Sequence, residues 1–293
     1  MNQDPHHQDP LPDSTVERLH KSTQQQAFND KATLNLPPSY RVGWMETLDD
    51  EKLISDVNIP GTHDTMSLHG GPAAECQSWS LHNQLLAGIR YLDLRVWGRK
   101  LIIVHGVIPQ FTTFANVLNK TSTFLSQYKT ETVLIRVKHE SKGNIPENVI
   151  NQLKNDPGCW VSDQIPRIGD VRGKIVFVQK NSFKLGIPLF ETDQRGDYKV
   201  RNISEKEDKI TEHLKQALGA RKTDRAVLSY SSGTGLPLGR IFKTPNRVAK
   251  KINPWLYGYL KDVTKQNLKR CFGIVAMDFP GFDLIQKIIG FNN

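Results

Sequence analysis

The sequence contains few cysteines and no long apolar run. Its three cysteines, Cys76, Cys159 and Cys271, are far apart and odd in number among 293 residues. This pattern predicts neither a disulfide framework nor a Cys-x-x-Cys metal site. No apolar stretch is long enough to cross a bilayer, and the polar segment 1–12 lacks the apolar core of a secretory signal. We therefore expect a soluble, cytoplasmic protein.

Acidic residues are in deficit. Thirty Asp and Glu residues face 39 Lys and Arg residues, which gives a net charge of +9. Such an excess favours anionic partners, namely phospholipid head groups, phosphorylated small molecules or nucleic acids. The basic residues are scattered, with only small clusters such as Lys250-Lys251, and no nucleic-acid-binding motif accompanies them. We expect no nucleic-acid partner, and a solvated basic surface is the simplest interpretation.

Length and composition predict one large folded domain. Hydrophobic residues make up 38% of the chain and charged residues 24%, as in an average globular protein, and 293 residues suit one α/β barrel. Residues 1–36 contain Asp-Pro pairs, a histidine pair and a glutamine run, which predict a flexible polar tail compatible with a short amphipathic helix over 15–28. The catalytic or binding domain is then expected to cover residues 37–293.

Short apolar runs rich in β-branched residues alternate with amphipathic stretches after residue 44, as in βα units. The seven candidate strands are 57–59, 89–96, 101–105, 132–138, 174–179, 226–230 and 272–278. Helical spacing is found over 111–128, 145–154, 205–218 and 247–264. Continuous apolar runs are typical of parallel strands buried on both faces. We predict the α/β class and an irregular (β/α)8 TIM-type barrel forming a single domain.

Ionisable residues cluster at the carboxyl ends of these strands. They are His63, Asp64, Asp93, Arg95, His105, Lys138, Lys180 and Asp278. A single histidine, lysine or aspartate at a strand end is more often structural, as a rim residue or a helix cap. In a barrel, however, all these ends meet at one mouth, where barrel enzymes place their active sites. The pattern therefore predicts one polar pocket.

The residue types in this pocket are those of acid–base phosphoryl transfer. Two histidines can exchange roles, one taking a proton from an attacking hydroxyl and the other protonating the leaving oxygen. A guanidinium such as Arg95 offers paired donors to the charge that develops on phosphorus. Metal-dependent diesterases need several carboxylates around a cation, whereas Arg95 follows Asp93 where a second carboxylate is expected. We expect catalysis without a metal and without any other cofactor.

The motifs around these residues resemble a known family. They are IPGTHD at 59–64, QSW at 77–79, GIRYLDLR at 88–95, VHG at 104–106, ETVL at 131–134, RGKIV at 172–176 and MD at 277–278. Together they resemble the X domain of phosphatidylinositol-specific phospholipase C, in its bacterial, metal-independent branch. The resemblance covers nearly the whole chain after residue 44.

The resemblance implies a role for each matching residue. His63 would be the base on the inositol 2-hydroxyl, oriented by Asp278, and His105 the acid toward diacylglycerol. Asp64 and Asp93 would support the acid, and Arg95 would stabilise the phosphate charge. The products would be diacylglycerol and inositol 1,2-cyclic phosphate, followed by slower hydrolysis to inositol 1-phosphate.

Head-group binding is where the chain departs from the family. A ring-binding lysine matches Lys138 and a stacking tyrosine matches Tyr198, but Lys180 replaces an arginine and the acidic contact is displaced by one position, to Asp197. A lysine offers a point charge instead of a planar fork. Head-group selectivity is therefore expected to differ more than catalysis.

The resemblance also implies the partners. The substrate would be phosphatidylinositol in a membrane or micelle surface, met by a monomer in transient peripheral contact. Apolar residues of 108–111 and 235–238, expected on loops, would touch the bilayer.

Two alternatives stay open. One is an inositol-lipid binding module with little turnover, against which the intact histidine pair and Arg95 argue. The other is a barrel phosphodiesterase of different specificity, such as a glycerophosphodiesterase or sphingomyelinase D. These metal-dependent enzymes would show a His-Arg-Gly opening and a Glu-x-Asp pair, and neither stands at the matching positions.

Overall fold

Parallel strands joined by helices form the body of the protein. The computed structural model describes residues 26–141, 143–266 and 270–293. The strands are β1 (Ile59–Thr62), β2 (Tyr91–Trp97), β3 (Ile102–His105), β4 (Ile108–Thr113), β5 (Val133–His139), β6 (Cys159–Trp160), β7 (Ile175–Val178), β8 (Leu189–Glu191), β9 (Ala226–Tyr230) and β10 (Ile274–Met277). The α-helices are α1 (Leu81–Ala87), α2 (Phe114–Gln127), α3 (Glu147–Lys154), α4 (Ile168–Val171), α5 (Ile203–Gly219), α6 (Pro245–Thr264) and α7 (Phe282–Ile289). Short 3₁₀ turns lie at Trp44–Thr47, Ile54–Asp56, Leu236–Leu238 and Gly290–Asn292.

The main sheet is parallel and curled, in the order β6-β7-β5-β2-β1-β10-β9-β8. A narrow parallel bridge joins Val178, at the end of the second strand in this order, β7, to Ile187, just before the last strand, β8. The Ile187 N–H donates to the Phe177 carbonyl at 2.9 Å across this bridge. The predicted class, an irregular barrel of the TIM type, is confirmed.

The predicted third barrel strand is wrong in its direction. Strand β3 pairs antiparallel with β2 and with β4, and forms a hairpin outside the main ring. The turn that joins β2 to β3 is tight, with Gly98 and Leu101 both at positive φ. A parallel pairing needs a crossover of a dozen or more residues, which this connection does not have. The segment 108–111, predicted as a loop, belongs to the hairpin partner β4.

Other differences concern short or shifted elements. Strands β6 and β8 are two and three residues long, too short for a period-2 pattern to show in the sequence. The first strand begins at Ile59 instead of Val57, because Val57 ends a 3₁₀ turn. Helix α2 begins at Phe114, later than predicted, because the Thr113 side chain accepts a hydrogen bond from the Asn116 N–H and caps it.

The core lies on both sides of the central strands. Every residue of β1, β7 and β10 is buried, so apolar side chains meet the ring interior on one face and helices on the other. A second apolar cluster packs helices α5, α6 and α7 against β10. None of the helices in the described residues is long and apolar enough to cross a membrane.

The described end of the predicted tail packs against the barrel. Ala27 is buried, Phe28 forms a bridge with Pro280, and the Asn29 N–H donates to the Phe279 carbonyl at 2.9 Å. The helix predicted over 15–28 otherwise falls on residues outside the described ranges. The boundary between tail and domain at residue 36 stays a prediction.

A buried ion pair fastens β2 to its surroundings. The Arg90 and Glu131 side chains are fully buried and 3.0 Å apart. Arg90 also donates to the carbonyls of Val42, Leu85 and Ile89. A buried charge is tolerated when its partner and its hydrogen bonds are all in place. This arrangement anchors the start of the strand that carries Asp93 and Arg95.

We predict that Arg90→Ala lowers the free energy of unfolding by about 3–5 kcal/mol, because Glu131 is left as an uncompensated buried charge. Urea unfolding monitored by circular dichroism measures the loss. The control is Arg41→Ala, which removes the exposed partner of Glu46 and is expected to cost about 0–1 kcal/mol. Equal losses in the two variants would contradict the anchoring role.

Candidate active site

The carboxyl ends of three neighbouring parallel strands bring the site together. His63 and Asp64 directly follow β1, Asp93 and Arg95 lie in β2, and Asp278 follows β10. Asp64 has a φ of +43°, a left-handed conformation that aspartate tolerates better than most residues. Its N–H donates to Asp93 Oδ2 at 3.1 Å, so the bend turns the Asp64 side chain toward β2.

His63 is held by the residue that follows the last strand. Its Nδ1 lies 2.8 Å from Asp278 Oδ1, which is almost completely buried. The backbone on both sides is clamped by Gln77, whose Nε2 donates to the His63 carbonyl at 2.8 Å and to the Met277 carbonyl at 2.9 Å. With Nδ1 as donor to the carboxylate, Nε2 carries the lone pair and faces the pocket.

The charges around His63 raise its pKa. Burial lowers the pKa of the imidazole, but the carboxylates of Asp278 and Asp64 outweigh burial, and the Arg95 cation opposes them only in part. Burial in turn raises the pKa of Asp278 above its usual value, although His63 offsets part of that rise. The two groups therefore form a buried acid–base pair in which the imidazolium is favoured relative to histidine in water.

Arg95 is surrounded by carboxylates. Its Nε lies 2.9 Å from Asp64 Oδ1, its Nη2 lies 3.3 Å from Asp93 Oδ2, and its Nη1 lies 3.5 Å from Glu140 Oε1. Burial opposes both charges, but Asp64 and Asp93 raise the pKa of Arg95, and Arg95 and Arg136 hold the pKa of Asp93 well below its usual range. Arg95 Nη2 also lies 3.1 Å from His63 Nε2. A fixed cation thus stands beside the candidate base.

His105 faces the same carboxylate from the β3–β4 hairpin. Its Nδ1 lies 2.8 Å from Ser67 Oγ and 3.6 Å from Asp64 Oδ2. Because Ser67 Oγ donates its own proton to the Ala74 carbonyl at 2.7 Å, it accepts from His105 Nδ1. The other ring nitrogen, Nε2, is then left for the pocket. Asp64 Oδ2 lies 3.7 Å from His63 Nε2, so one carboxylate stands between the two imidazoles.

The hairpin that carries His105 is locked to the loop after β1. Gln110, on β4, is buried, and its Oε1 accepts from the N–H groups of Leu68 and His69 at 2.9 Å each. Its Nε2 donates to the His69 carbonyl at 3.0 Å. These bonds fix the position of His105 relative to Ser67 and Asp64. The antiparallel hairpin therefore positions His105 in the site, as the parallel barrel strands position the other residues.

A buried thiol lies beside both histidines. Cys76 Sγ is 3.9 Å from His105 Nδ1, and Cys76 forms one cluster with His63 and Asp278 and another with Asp64 and His105. Sets of this composition can hold a transition metal when the sulfur is a thiolate. Burial, followed by the Asp278 and Asp64 charges, raises the pKa of the Cys76 thiol well above its usual value. These residues therefore favour a neutral thiol over a metal ligand.

The four residues expected to bind the head group have different surroundings in the structure. Lys138 Nζ lies 3.3 Å from Glu140, the same carboxylate that contacts Arg95, and Lys180 Nζ lies 3.0 Å from Glu191. Half of the Tyr198 surface is exposed. The Asp197 carboxylate lies 3.0 Å from His213 Nε2 and 3.6 Å from Lys209 Nζ. Both oxygens of the Asp197 carboxylate therefore already have partners within the protein.

Sequence reasoning missed five residues that complete the site, the first of which is Glu140, beside Arg95 and Lys138. Glu191 pairs with Arg136 as well as with Lys180, and Arg136 Nη2 lies 3.3 Å from Asp93 Oδ1. The Tyr230 ring meets His63 edge-on at 5.8 Å, and Ser67 holds His105. The signal that could have identified Arg136 is that it is a charged residue inside the apolar run 133–137. Glu191 lies in a three-residue strand that gave none.

We predict that the pKa of His63, followed by proton–nitrogen NMR, lies above that of histidine in water and falls in Asp278→Asn, because the largest charge that raises it is lost. Asp262→Asn, which neutralises an exposed carboxylate at the far end of α6, is the matched control and should leave the pKa of His63 unchanged. An unaltered pKa in Asp278→Asn would show that the pair does not set the charge of the imidazole.

Comparisons with known proteins agree with this geometry. A family model described as phosphatidylinositol-specific phospholipase C, X domain, matches residues 52–181. The chain is 32% identical to the 1-phosphatidylinositol phosphodiesterase of Listeria monocytogenes over 273 residues, which cover 84% of this chain and 83% of that protein. A protein of the same name from Staphylococcus aureus strain Newman is 25% identical in an alignment 302 residues long. This alignment covers 85% of this chain and 93% of that one.

Solved structures extend the agreement to the fold. The phosphatidylinositol-specific phospholipase C from Listeria monocytogenes superposes with a TM-score of 0.73 at 30% identity, over 87% of this chain and 99% of that one. A variant of the Staphylococcus aureus enzyme gives a TM-score of 0.71 at 21% identity, over 86% and 97%, which shows the shared fold. The chain belongs to the phosphatidylinositol-specific phospholipase C family of enzymes.

Proposed function

We propose that the chain cleaves phosphatidylinositol into diacylglycerol and inositol 1,2-cyclic phosphate, and then slowly hydrolyses the cyclic ester to inositol 1-phosphate. The observation that carries the proposal is the position of His63 between the Asp278 carboxylate, 2.8 Å from Nδ1, and the Arg95 guanidinium, 3.1 Å from Nε2. This arrangement places a base and a cation side by side. The curated relatives are named 1-phosphatidylinositol phosphodiesterase, which supports cleavage of this phosphodiester.

In the first step His63 acts as the general base. Its Nε2 takes the proton of the inositol 2-hydroxyl while that oxygen attacks phosphorus, and Asp278 stabilises the imidazolium that forms. When the phosphate arrives, the Arg95 Nη2 that now lies near Nε2 is in place to donate to a phosphoryl oxygen. Since Arg95 stays charged, the negative charge on the phosphorane is stabilised throughout the step.

His105 acts as the general acid. As an imidazolium it donates the Nε2 proton to the diacylglycerol oxygen as the phosphorus–oxygen bond breaks. Asp64 Oδ2 lies 3.6 Å from Nδ1, and Ser67 Oγ fixes the ring by its hydrogen bond at 2.8 Å. In the second step the roles reverse, because His105 then takes a proton from water and His63 returns one to the 2-oxygen. Asp93 supports both steps by holding Arg95 and the Asp64 N–H.

Head-group recognition involves the outer part of the site. We propose that Lys138 and Lys180 donate to inositol hydroxyls and that Tyr198 stacks on the ring. Both ammonium groups already have carboxylate neighbours, Glu140 and Glu191, which hold them in position for a neutral polyol. A contact from Asp197 to the ring requires its pairs with His213 and Lys209 to open. Its proposed role is therefore to support the Tyr198 segment as well as to bind.

We predict that His63→Ala and His105→Ala each lower turnover of phosphatidylinositol by roughly 100- to 10,000-fold, the usual contribution of one acid or base. The two variants should differ in their activity on a nitrophenyl ester of inositol phosphate, because its leaving group departs without being protonated. His105→Ala should recover most of its activity on that substrate and His63→Ala should not. Equal recovery would reverse or abolish the assignment of base and acid. No activity of the wild type on either substrate would favour a binding module.

The hairpin that carries His105 also presents apolar side chains to solvent. Val107 is 79% exposed and Phe111 is 81% exposed, next to the mouth of the site. We propose that these side chains enter the bilayer surface during peripheral contact with the membrane that holds the substrate. Monomeric state and cytoplasmic location stay predictions from the sequence.

We predict that the double variant Val107→Ser/Phe111→Ser binds phosphatidylcholine vesicles more weakly by roughly tenfold or more, because two apolar side chains no longer enter the bilayer. Hydrolysis of soluble inositol 1,2-cyclic phosphate is the internal control and should not change. Unaltered vesicle binding would place the membrane contact elsewhere on the protein.

A further inference from the structure

A buried histidine on α5 takes no part in the proposed reaction, yet both of its ring nitrogens face carboxylates. Only 4% of His213 is exposed. Its Nδ1 lies 3.3 Å from Asp193 Oδ1, and its Nε2 lies 3.0 Å from Asp197 Oδ2. The ring therefore bridges two acidic residues that lie four positions apart in the chain.

The geometry of this bridge is that of a hydrogen-bonded network and not of a metal site. The three residues have the composition of a metal-ligand set. One ion binds only one nitrogen of an imidazole, whereas the two carboxylates approach opposite nitrogens of the ring. A neutral imidazole donates from one nitrogen and an imidazolium from both, so a hydrogen bond joins His213 to at least one acid in either state. Lys206, which is also buried, donates from Nζ to the Asp197 carbonyl at 3.1 Å.

The two acids lie near the two ends of the Tyr198 segment, which comprises residues 193–198. Asp193 follows β8 closely, and its Oδ1 also accepts from the N–H of Tyr230, at the end of β9, at 3.1 Å. Asp197 Oδ2 also accepts from the Gln194 N–H at 2.8 Å, and the Asp197 N–H donates to the Gln194 carbonyl at 3.1 Å. The imidazole bridge therefore closes a compact turn and ties it, through Asp193, to the sheet.

The residue expected to stack on the inositol ring ends this segment. On its other side the Tyr198 backbone is held by the chain that follows β9, where the Thr234 N–H donates to the Tyr198 carbonyl at 2.8 Å. The Thr234 carbonyl in turn accepts from the Val200 N–H at 2.9 Å. A side chain whose backbone is already fixed loses little freedom when a ligand stacks on it, which favours binding. The position of Tyr198 thus depends on the sheet on one side and on α5 on the other.

The same network reaches the candidate base. The Tyr230 ring meets the His63 ring at 5.8 Å, and the Tyr230 N–H donates to the Asp193 carboxylate. One carboxylate therefore joins the Tyr198 segment to the strand end beside His63. A base acts only on a proton within hydrogen-bond reach. An inositol ring that stacks on Tyr198 consequently has a defined position relative to His63.

We propose that His213 is a positioning residue for substrate binding. It ties Asp193 to Asp197, and this bridge fixes Tyr198 where the inositol ring stacks on it, although His213 itself touches no substrate. The inference rests on the proposed function, because it takes the ring to stack on Tyr198. It deepens that proposal by adding a residue of α5 to the recognition of the head group.

The test is the steady-state kinetics of the full chain on dihexanoyl phosphatidylinositol below its micelle concentration, where no membrane contact contributes. His213→Leu should raise KM roughly tenfold and change kcat less than about threefold, because stacking contributes equally to the ground state and the transition state. Tyr198→Ala should raise KM by about as much, and adding His213→Leu to it should cause little further change. An unaltered KM in His213→Leu would overturn the proposal. So would a second rise of roughly tenfold in the double variant, since independent effects add.

Two further variants separate positioning from a general loss of structure. His213→Gln keeps an N–H donor, so its KM should lie between those of the wild type and His213→Leu. Leu214→Ala removes a buried apolar side chain from the next position of α5, so it should lower stability but leave KM unchanged. A KM raised equally by Leu214→Ala would show that α5 is needed only for folding and would contradict the positioning role. Where His213→Leu does not fold, His213→Gln with and without Tyr198→Ala gives the same comparison.

Two more measurements separate this inference from the proposed function and from a metal site. Affinity for myo-inositol, followed by NMR titration, needs no turnover and should fall in His213→Leu as KM rises. A wild type that binds myo-inositol but does not cleave phosphatidylinositol would refute the proposed function and leave this comparison intact, whereas a wild type that does neither would refute both. Excess chelator should leave the KM of the wild type unchanged. A rise equal to that of His213→Leu would assign the three residues to a metal ion and overturn the bridge.

Discussion

The cluster of charges around Arg95 is the constraint on which the rest of the site depends. One partly buried guanidinium contacts Asp64, Asp93 and Glu140 and lies 3.1 Å from His63. Three carboxylates so close together, two of them buried, need a fixed cation among them, because it offsets their mutual repulsion and their desolvation. The guanidinium therefore permits the other side chains to stand where the reaction needs them.

This charge cluster also links the fold to the chemistry. Arg95 reaches the pocket from β2, whose start is anchored by the buried Arg90–Glu131 pair, and Glu140 reaches it from the end of β5. The register that places Arg95 opposite Lys138 sets the lysine proposed to bind the head group beside the cation proposed to receive the phosphate.

Much of this was predictable from the sequence because the barrel puts strand ends at one mouth. His63, Asp93, Arg95 and Asp278 follow from that rule once the apolar runs are found. His105 was found for a partly wrong reason, since its strand is antiparallel and is positioned by Gln110 and not by the ring. Glu191 could not be found, because a three-residue strand has no readable period. Pairings that need side-chain directions across the barrel, such as Asp197 with His213, also lie beyond sequence reasoning.

The most direct test of the account is a phosphorus NMR time course of the purified protein with phosphatidylinositol micelles and excess chelator. We predict that the cyclic phosphodiester signal appears first and that the inositol 1-phosphate signal grows later at its expense, since an arginine and two histidines supply the cation, the base and the acid. A monoester signal that appears without the cyclic one, or product that forms only when a divalent metal is added back, would contradict the central claim.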